Sequence, residues 1–168
     1  MMNTLLAVDS NFLMHLAEPR DAAHDALEVI RRRLRETQIF VMPTVLDELG
    51  SLARKASSPA DRACAKRALA GLRAWGMSAV EMDDFQDTVA GLVAKKLLEE
   101  GIIPLEERND ARIVGEAAVL GCQLLISSDG HVRDADAARL AVALGECQLA
   151  AVVVRRPQEI VREFARRR

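Results

Sequence analysis

Short apolar runs alternate with helical periodicities along nearly the whole chain, and this alternation leaves few folds open. Leu5-Leu6-Ala7-Val8 is apolar throughout and gives way at once to Asp9-Ser10-Asn11, the pattern of a strand buried on both faces. Asp9, Ser10 or Asn11 can cap a short helix from Phe12 to Ala17. Ala23, Leu27, Ile30 and Leu34 then mark one face of a longer helix. Gln38 to Met42 reads as a second buried strand, and Pro43 starts a helix in its preferred first-turn position. Ser57-Ser58-Pro59 breaks the pattern before another helix that runs to about Trp75 and ends at Gly76.

The same rhythm continues. Met77 to Met82 is a weak third strand, and Asp83 and Asp84 cap a helix whose Phe85, Val89, Val93 and Leu97 recur every fourth residue. Gly101 to Arg108 is a loop, and Asn109 or Asp110 opens a helix that Gly121 stops. Leu124 to Ser127 is a fourth strand, Ala135 to Leu144 a helix, Leu149 to Val154 a fifth strand, and a last helix follows Pro157. Strands alternating with helices predict an α/β fold: a three-layer α/β/α sandwich around a mainly parallel sheet of about five strands. The 168 residues contain no repeat and no linker, so one domain over residues 1–168 is expected.

Half the chain is apolar, but only 3% is aromatic and there is no Tyr. The core must therefore be aliphatic, and binding of RNA by rows of stacked aromatics is disfavoured. The net charge of −2 is unevenly spread, because the last fourteen residues hold six Arg and two Glu, leaving −6 on the remainder. That Arg-rich end reads either as a phosphate contact or as a solvated helix surface, and Arg31-Arg32-Arg33 as a solvated face. Cys64, Cys122 and Cys147 have no metal-ligand or disulfide spacing and read as core residues of a reduced protein. No apolar run reaches the roughly 20 residues of a membrane span, and the N-terminus lacks a secretory pattern. A cytoplasmic protein with no membrane association is the expectation.

The common nucleotide-binding and hydrolase signatures are missing, and His15, His24 and His131 have no ligand spacing between them. Carboxylates remain. Asp9 ends the first strand, Glu48 lies in the helix after the second, Asp110 opens a helix, and Asp129 follows the fourth strand. In an open parallel sheet, ligands bind beyond the carboxyl ends of the strands. Acids gathered there repel one another unless a cation neutralises them, and hard oxygen donors select Mg²⁺ or Mn²⁺. Each acid also has an ordinary structural explanation: Asp9 and Asp110 as helix caps or first-turn acids, Glu48 as a solvent-facing residue, Asp129 as the start of a turn.

The sequence resembles the PIN domain, the metal-dependent nuclease fold of the VapC-like toxin ribonucleases in many bacterial toxin–antitoxin pairs. Four segments carry the likeness: Val8-Asp9-Ser10-Asn11-Phe12-Leu13, Met42-Pro43-Thr44-Val45-Leu46-Asp47-Glu48-Leu49, Asn109-Asp110-Ala111-Arg112-Ile113-Val114 and Leu125-Ile126-Ser127-Ser128-Asp129. The resemblance implies that Asp9, Glu48, Asp110 and Asp129 form a catalytic, metal-binding quartet, with Asp9 and Asp110 the most direct ligands. It places Ser127 where a hydroxyl orients the acids, and Asn11 as a second polar contact to ligand or substrate. It further implies a Mg²⁺- or Mn²⁺-dependent endoribonuclease in which the ion activates water against an RNA phosphodiester. An antitoxin protein and a homodimer are the partners it suggests.

Two features depart from the pattern. Gly130 to Asp136 lacks the aromatic residue that many relatives carry, and Asp134 and Asp136 there read as a solvated loop or as substitute ligands. The stretch from Pro59 to Trp75 lengthens the chain beyond a minimal toxin, as extra core or as a partner surface. Arg54, Arg112 and Arg133 are the arginines considered for holding an RNA backbone. The alternative function is a non-catalytic PIN-fold module that binds RNA or protein and uses the acids structurally. A phospho-acceptor receiver domain is disfavoured: no acidic pair follows the first strand and no Lys follows Lys96.

Overall fold

The computed structural model describes residues 3–34 and 36–165. Five strands form one sheet: β1 (Thr4–Val8), β2 (Thr37–Val41), β3 (Met77–Ala79), β4 (Leu124–Ile126) and β5 (Val153–Arg155). Their order is β3-β2-β1-β4-β5, and every neighbouring pair is parallel. The helices are α1 (Ser10–Ala17), α2 (Asp21–Arg33), α3 (Pro43–Lys55), α4 (Pro59–Gly71), α5 (Asp84–Glu99), α6 (Arg108–Val119), α7 (Gly130–Arg133), α8 (Ala137–Glu146) and α9 (Pro157–Ala165). The architecture is the expected three-layer α/β/α sandwich, with a sheet that is wholly rather than mainly parallel.

β1 lies at the centre, and its Leu6, Ala7 and Val8 are completely buried, which explains why this run carries no polar residue. The strand order reverses direction between β1 and β4. Chain crossing to β2 and β3 leaves on one side, and β4 and β5 fill the other, so a crevice opens beyond Val8 and Ile126. Asp9 and Asp129 flank that switch point. The sandwich is closed by helix pairs: α2 packs on α9, α3 on both α4 and α6, and α5 on α6. The α5–α6 contact is so close that a Cβ on Gly115 would stand 2.6 Å from the carbonyl oxygen of Ala90.

Several element ends differ from the sequence expectation, for local reasons. β5 begins at Val153, not Leu149, because the Leu149 amide is used to close α8 on the Leu144 carbonyl at 3.0 Å. That closure puts Gln148 at φ +59°, the left-handed role usually given to glycine. Gly121 takes the same role after α6, at φ +73°, with Cys122 N donating to Ala117 O. α4 stops at Gly71, and residues 72–76 close as hydrogen-bonded turns into β3. β3 ends at Ala79, although Val80 N still donates to Val41 O. α6 starts at Arg108, slightly before the expected Asn109. Gly130–Arg133 forms a short helix, not an open loop, because the Asp129 carboxylate caps it through His131 N.

Cys64, Ala65 and Ala68 of α4 are buried as that helix packs on α3 and α1, so one face of the Pro59–Trp75 stretch is core. The chain's one tryptophan, Trp75, lies beside Ile30, Leu34 and Ile39 where β2 and β3 begin, whereas Asp9 follows the carboxyl end of β1. Its indole fits because residue 71 is glycine; a Cβ there would meet the ring at 2.7 Å. The three cysteines are unpaired. Among the described residues no helix is long and apolar enough to cross a membrane.

Candidate functional site

Asp9 is the residue immediately after β1 and the N-cap of α1. Its Oδ1 accepts from Phe12 N at 2.7 Å, and its Oδ2 accepts from Ser127 Oγ at 2.6 Å and Ser128 N at 3.2 Å. Both oxygens are thus engaged, and the residue is only 6% exposed. Burial nevertheless pushes its pKa up to about 6, against the three hydrogen bonds that favour the charged form, and the charge of Asp129 adds to the rise. Ser127, fully buried, also accepts from Asp129 N at 3.1 Å. A single hydroxyl therefore ties the turn after β4 to the acid after β1.

Glu48 projects from the second turn of α3. Ser10 Oγ donates to its Oε2 at 2.6 Å, and Asn109 Nδ2 donates to its Oε1 at 2.9 Å. Asp110, in the first turn of α6, is held differently. Its Oδ2 is buried and has no hydrogen-bond partner among the described residues. Burial and then the charges of Asp129, Glu107, Glu48 and Asp9 push its pKa up to about 7.

Asp9, Glu48, Asp110 and Asp129 all line one cleft of about 330 Å³, together with Ser10, Asn11, Asn109, the loop residues Glu106 and Glu107, and Arg108 at the start of α6. Asn11 is exposed at its mouth. A second hollow of about 500 Å³ adjoins it, sharing Ser10, Glu48 and Asn109. Among the described residues, no three Asp, Glu, His or Cys side chains stand close enough to chelate an ion as placed. The donor set nonetheless suits a hard divalent cation. It is all oxygen, and it includes a buried carboxylate oxygen with no partner among the described residues. Two of its members, Asp9 and Asp110, hold their protons more tightly than usual because burial, and then neighbouring acids, disfavour the charged form.

The residues considered at the periphery resolve unevenly. Asp136 caps α8 through Ala138 N and Arg139 N and does not face the cleft. Arg112 is paired with Glu116 at 3.2 Å and with Asp87, and it does not line the acidic cleft. Arg54 is not in the lining of the acidic cleft, and the side chain of Arg133 lies outside the described residues. His131 Nε2 lies 3.2 Å from Glu107 Oε1 at the rim. In the Arg-rich C-terminus, Arg155 pairs with Glu163 at 3.2 Å, and residues 166–168 lie outside the described residues.

Three partners escaped the sequence reading. Ser10 and Asn109 adjoin acids in sequence, but nothing local shows that both reach Glu48. Glu116, buried and hydrogen-bonded to Thr44, left a fainter signal: a charge inside the apolar run Ile113, Val114, Ala117 and Ala118.

The order of elements and the all-parallel sheet give this chain a PIN/VapC-like fold. Solved structures of that kind superimpose along most of the chain. VapBC2 from Rickettsia felis, solved bound to a DNA fragment from their promoter, matches with a TM-score of 0.61 and 13% identity, covering 91% of this chain and 98% of that one. VapBC-1 from nontypeable Haemophilus influenzae matches with a TM-score of 0.59 and 15% identity, covering 92% and 98%. No family profile matches the sequence, and no curated protein matches it.

Proposed function

We propose that this protein is a divalent-metal-dependent endoribonuclease, the toxin partner of a toxin–antitoxin pair. The observation that carries the reading is the cleft itself: four carboxylates at a switch point, one with a buried oxygen that has no partner among the described residues. The VapBC complexes that share the fold support an antitoxin protein as partner. Asp9, Glu48, Asp110 and Asp129 would hold Mg²⁺ or Mn²⁺. The ion would supply Lewis acidity, making water nucleophilic near neutral pH and stabilising charge on the leaving oxygen.

The chain's own residues do the rest. Ser127 and the Ser128 amide fix Asp9 in one orientation. Ser10 and Asn109 fix Glu48. A carboxylate of the quartet orients the attacking water or takes its proton, and Asn11 contacts the RNA at the cleft mouth. No side chain forms a covalent intermediate. A homodimer and a cytoplasmic location belong to the same reading.

A second reading has one observation in its favour. Asp9 caps α1 and Asp129 caps α7, so both acids have structural work in a non-catalytic module that binds RNA or protein. Asp110 has no comparable role, which favours the nuclease. Cleavage of a mixed single-stranded RNA pool separates the two, run with Mn²⁺, with EDTA, and with the Asp9→Asn protein. Cutting that needs Mn²⁺ and vanishes in the variant is the expected result. RNA binding without cutting, unchanged by the substitution, would favour the module.

A further inference from the structure

Glu116 is 1% exposed, yet it is none of the four cleft acids. Its Oε1 accepts from Thr44 Oγ1 at 2.8 Å and Arg112 Nε at 3.2 Å, and its Oε2 accepts from Thr44 N at 3.2 Å. Thr44 stands in the first turn of α3, where backbone amides lack intrahelical partners. α3 has no cap of its own: Met42 occupies the N-cap position and supplies no side-chain hydrogen bond. Glu116 of α6 therefore caps α3 from another helix. Arg112, itself paired with Asp87 of α5, balances the buried charge, as a carboxylate this deep requires.

The location matters more than the stability. Thr44 is one helical turn before Glu48 on α3, and Glu116 lies two turns or less after Asp110 on α6. Glu48 and Asp110 repel each other across the cleft, so these two helices are pushed apart at the end that carries the acids. The seam between them is held there by Asn109 on Glu48 and further along by Glu116 on Thr44.

We infer that Glu116 is a positioning residue: by clamping the start of α3 to α6 it sets the spacing of Glu48 and Asp110, and so the affinity of the cleft for a divalent cation. The inference rests on the cleft being a metal site. It makes no use of Glu116 as a ligand, since its oxygens are spoken for by Thr44 and Arg112.

The test is Mn²⁺ binding by calorimetry on the folded, full-length protein, beside urea unfolding of the same samples. Thr44→Val keeps the side-chain shape and the backbone donor but removes the hydroxyl; Thr44→Ser restores it. Thr44→Val and Glu116→Gln should weaken Mn²⁺ binding about threefold to tenfold, at or below the loss typical of a direct outer-shell partner. Thr44→Ser should stay within about twofold of the unsubstituted protein, a smaller loss than those of outer-shell partners. If Glu116→Gln does not fold, the Val and Ser pair decides alone.

A Thr44→Val protein that unfolds more easily but binds Mn²⁺ as before would reduce Glu116 to a structural cap and overturn the inference. If Asp110→Asn abolishes Mn²⁺ binding while both clamp variants leave it intact, only this inference fails. If the unsubstituted protein binds no Mn²⁺, the metal reading of the cleft fails and takes this inference with it.

Discussion

Asp9 and Asp110 face the same cleft and both bind their protons more tightly than an ordinary aspartate, but their surroundings are opposite in kind. The pole at the ends of β1 and β4 is finished. Asp9 accepts from a hydroxyl and two backbone amides, and each of those donors is fixed by a strand end or a helix start. The pole at the start of α6 is open. Asp110 has a buried oxygen without a donor among the described residues, and acids are the neighbours whose charges raise its pKa. One pole spends its electrostatics on holding the fold together, and the other keeps an imbalance that a bound cation would cancel.

The largest expected effect tests whether the two poles share one function. Asp9→Asn and Asp110→Asn should each lower metal-dependent RNA cleavage by about a hundredfold or more, measured on matched, folded samples. Full activity in either variant would break the pairing of the two acids. Next is Ser127→Ala, which removes the 2.6 Å donor to a buried carboxylate. It should cost about 1.5–3 kcal/mol of unfolding free energy at pH 8, and less at pH 5, where Asp9 is protonated. An equal loss at both pH values would mean that the bond does not discriminate the charged form.

Asp110→Asn should move stability the other way. Removing a charge surrounded by acids should raise unfolding free energy at pH 8 on the order of 1 kcal/mol, a figure kept small because the side chain is partly solvated. The sign follows from linkage. Both folded pKa values, about 6 for Asp9 and about 7 for Asp110, lie above the ordinary 3.8. Their contribution is therefore fully present below about pH 4 and is lost as pH rises through 6 and 7. The stability gap between the metal-free protein and its Asp110→Asn variant should widen across that window, and an excess of Mg²⁺ should shrink it. The smallest effect is Asp129→Asn, which should bring the Asp110 pKa below about 7 in a carboxyl-resolved NMR titration, since Asp129 is the largest charge contribution to it.

Much of this contrast could be read from the sequence, but not all of it. Asp9 and Asp129 leave local marks because each follows a strand and caps the next helix. Their capping and their place at the cleft are compatible, so the structural explanation of each acid did not compete with its position there. The parallel architecture was equally plain, because strands alternate with helices along the chain and the run ending at Val8 carries no polar residue to face water. What stayed hidden is long-range. Ser10 reaches Glu48 across 38 positions, Asn109 across 61, and Thr44 meets Glu116 across 72. No periodicity encodes such pairings. The pairing of Arg112 is hidden for the same reason: its partner Asp87 comes from a different helix. The late start of β5 has a local cause, the left-handed turn at Gln148, but a turn made without glycine leaves little trace in composition.

The position of Trp75 has a practical side. The only indole in the chain sits beside the first half of β2, while the acids lie beyond the carboxyl ends of the strands. Its fluorescence should follow global unfolding and stay silent while the cleft is titrated with a cation. The protein thus carries its own reference signal: a spectral change on adding Mg²⁺ would report a rearrangement reaching across the whole sheet, not mere occupancy of the cleft.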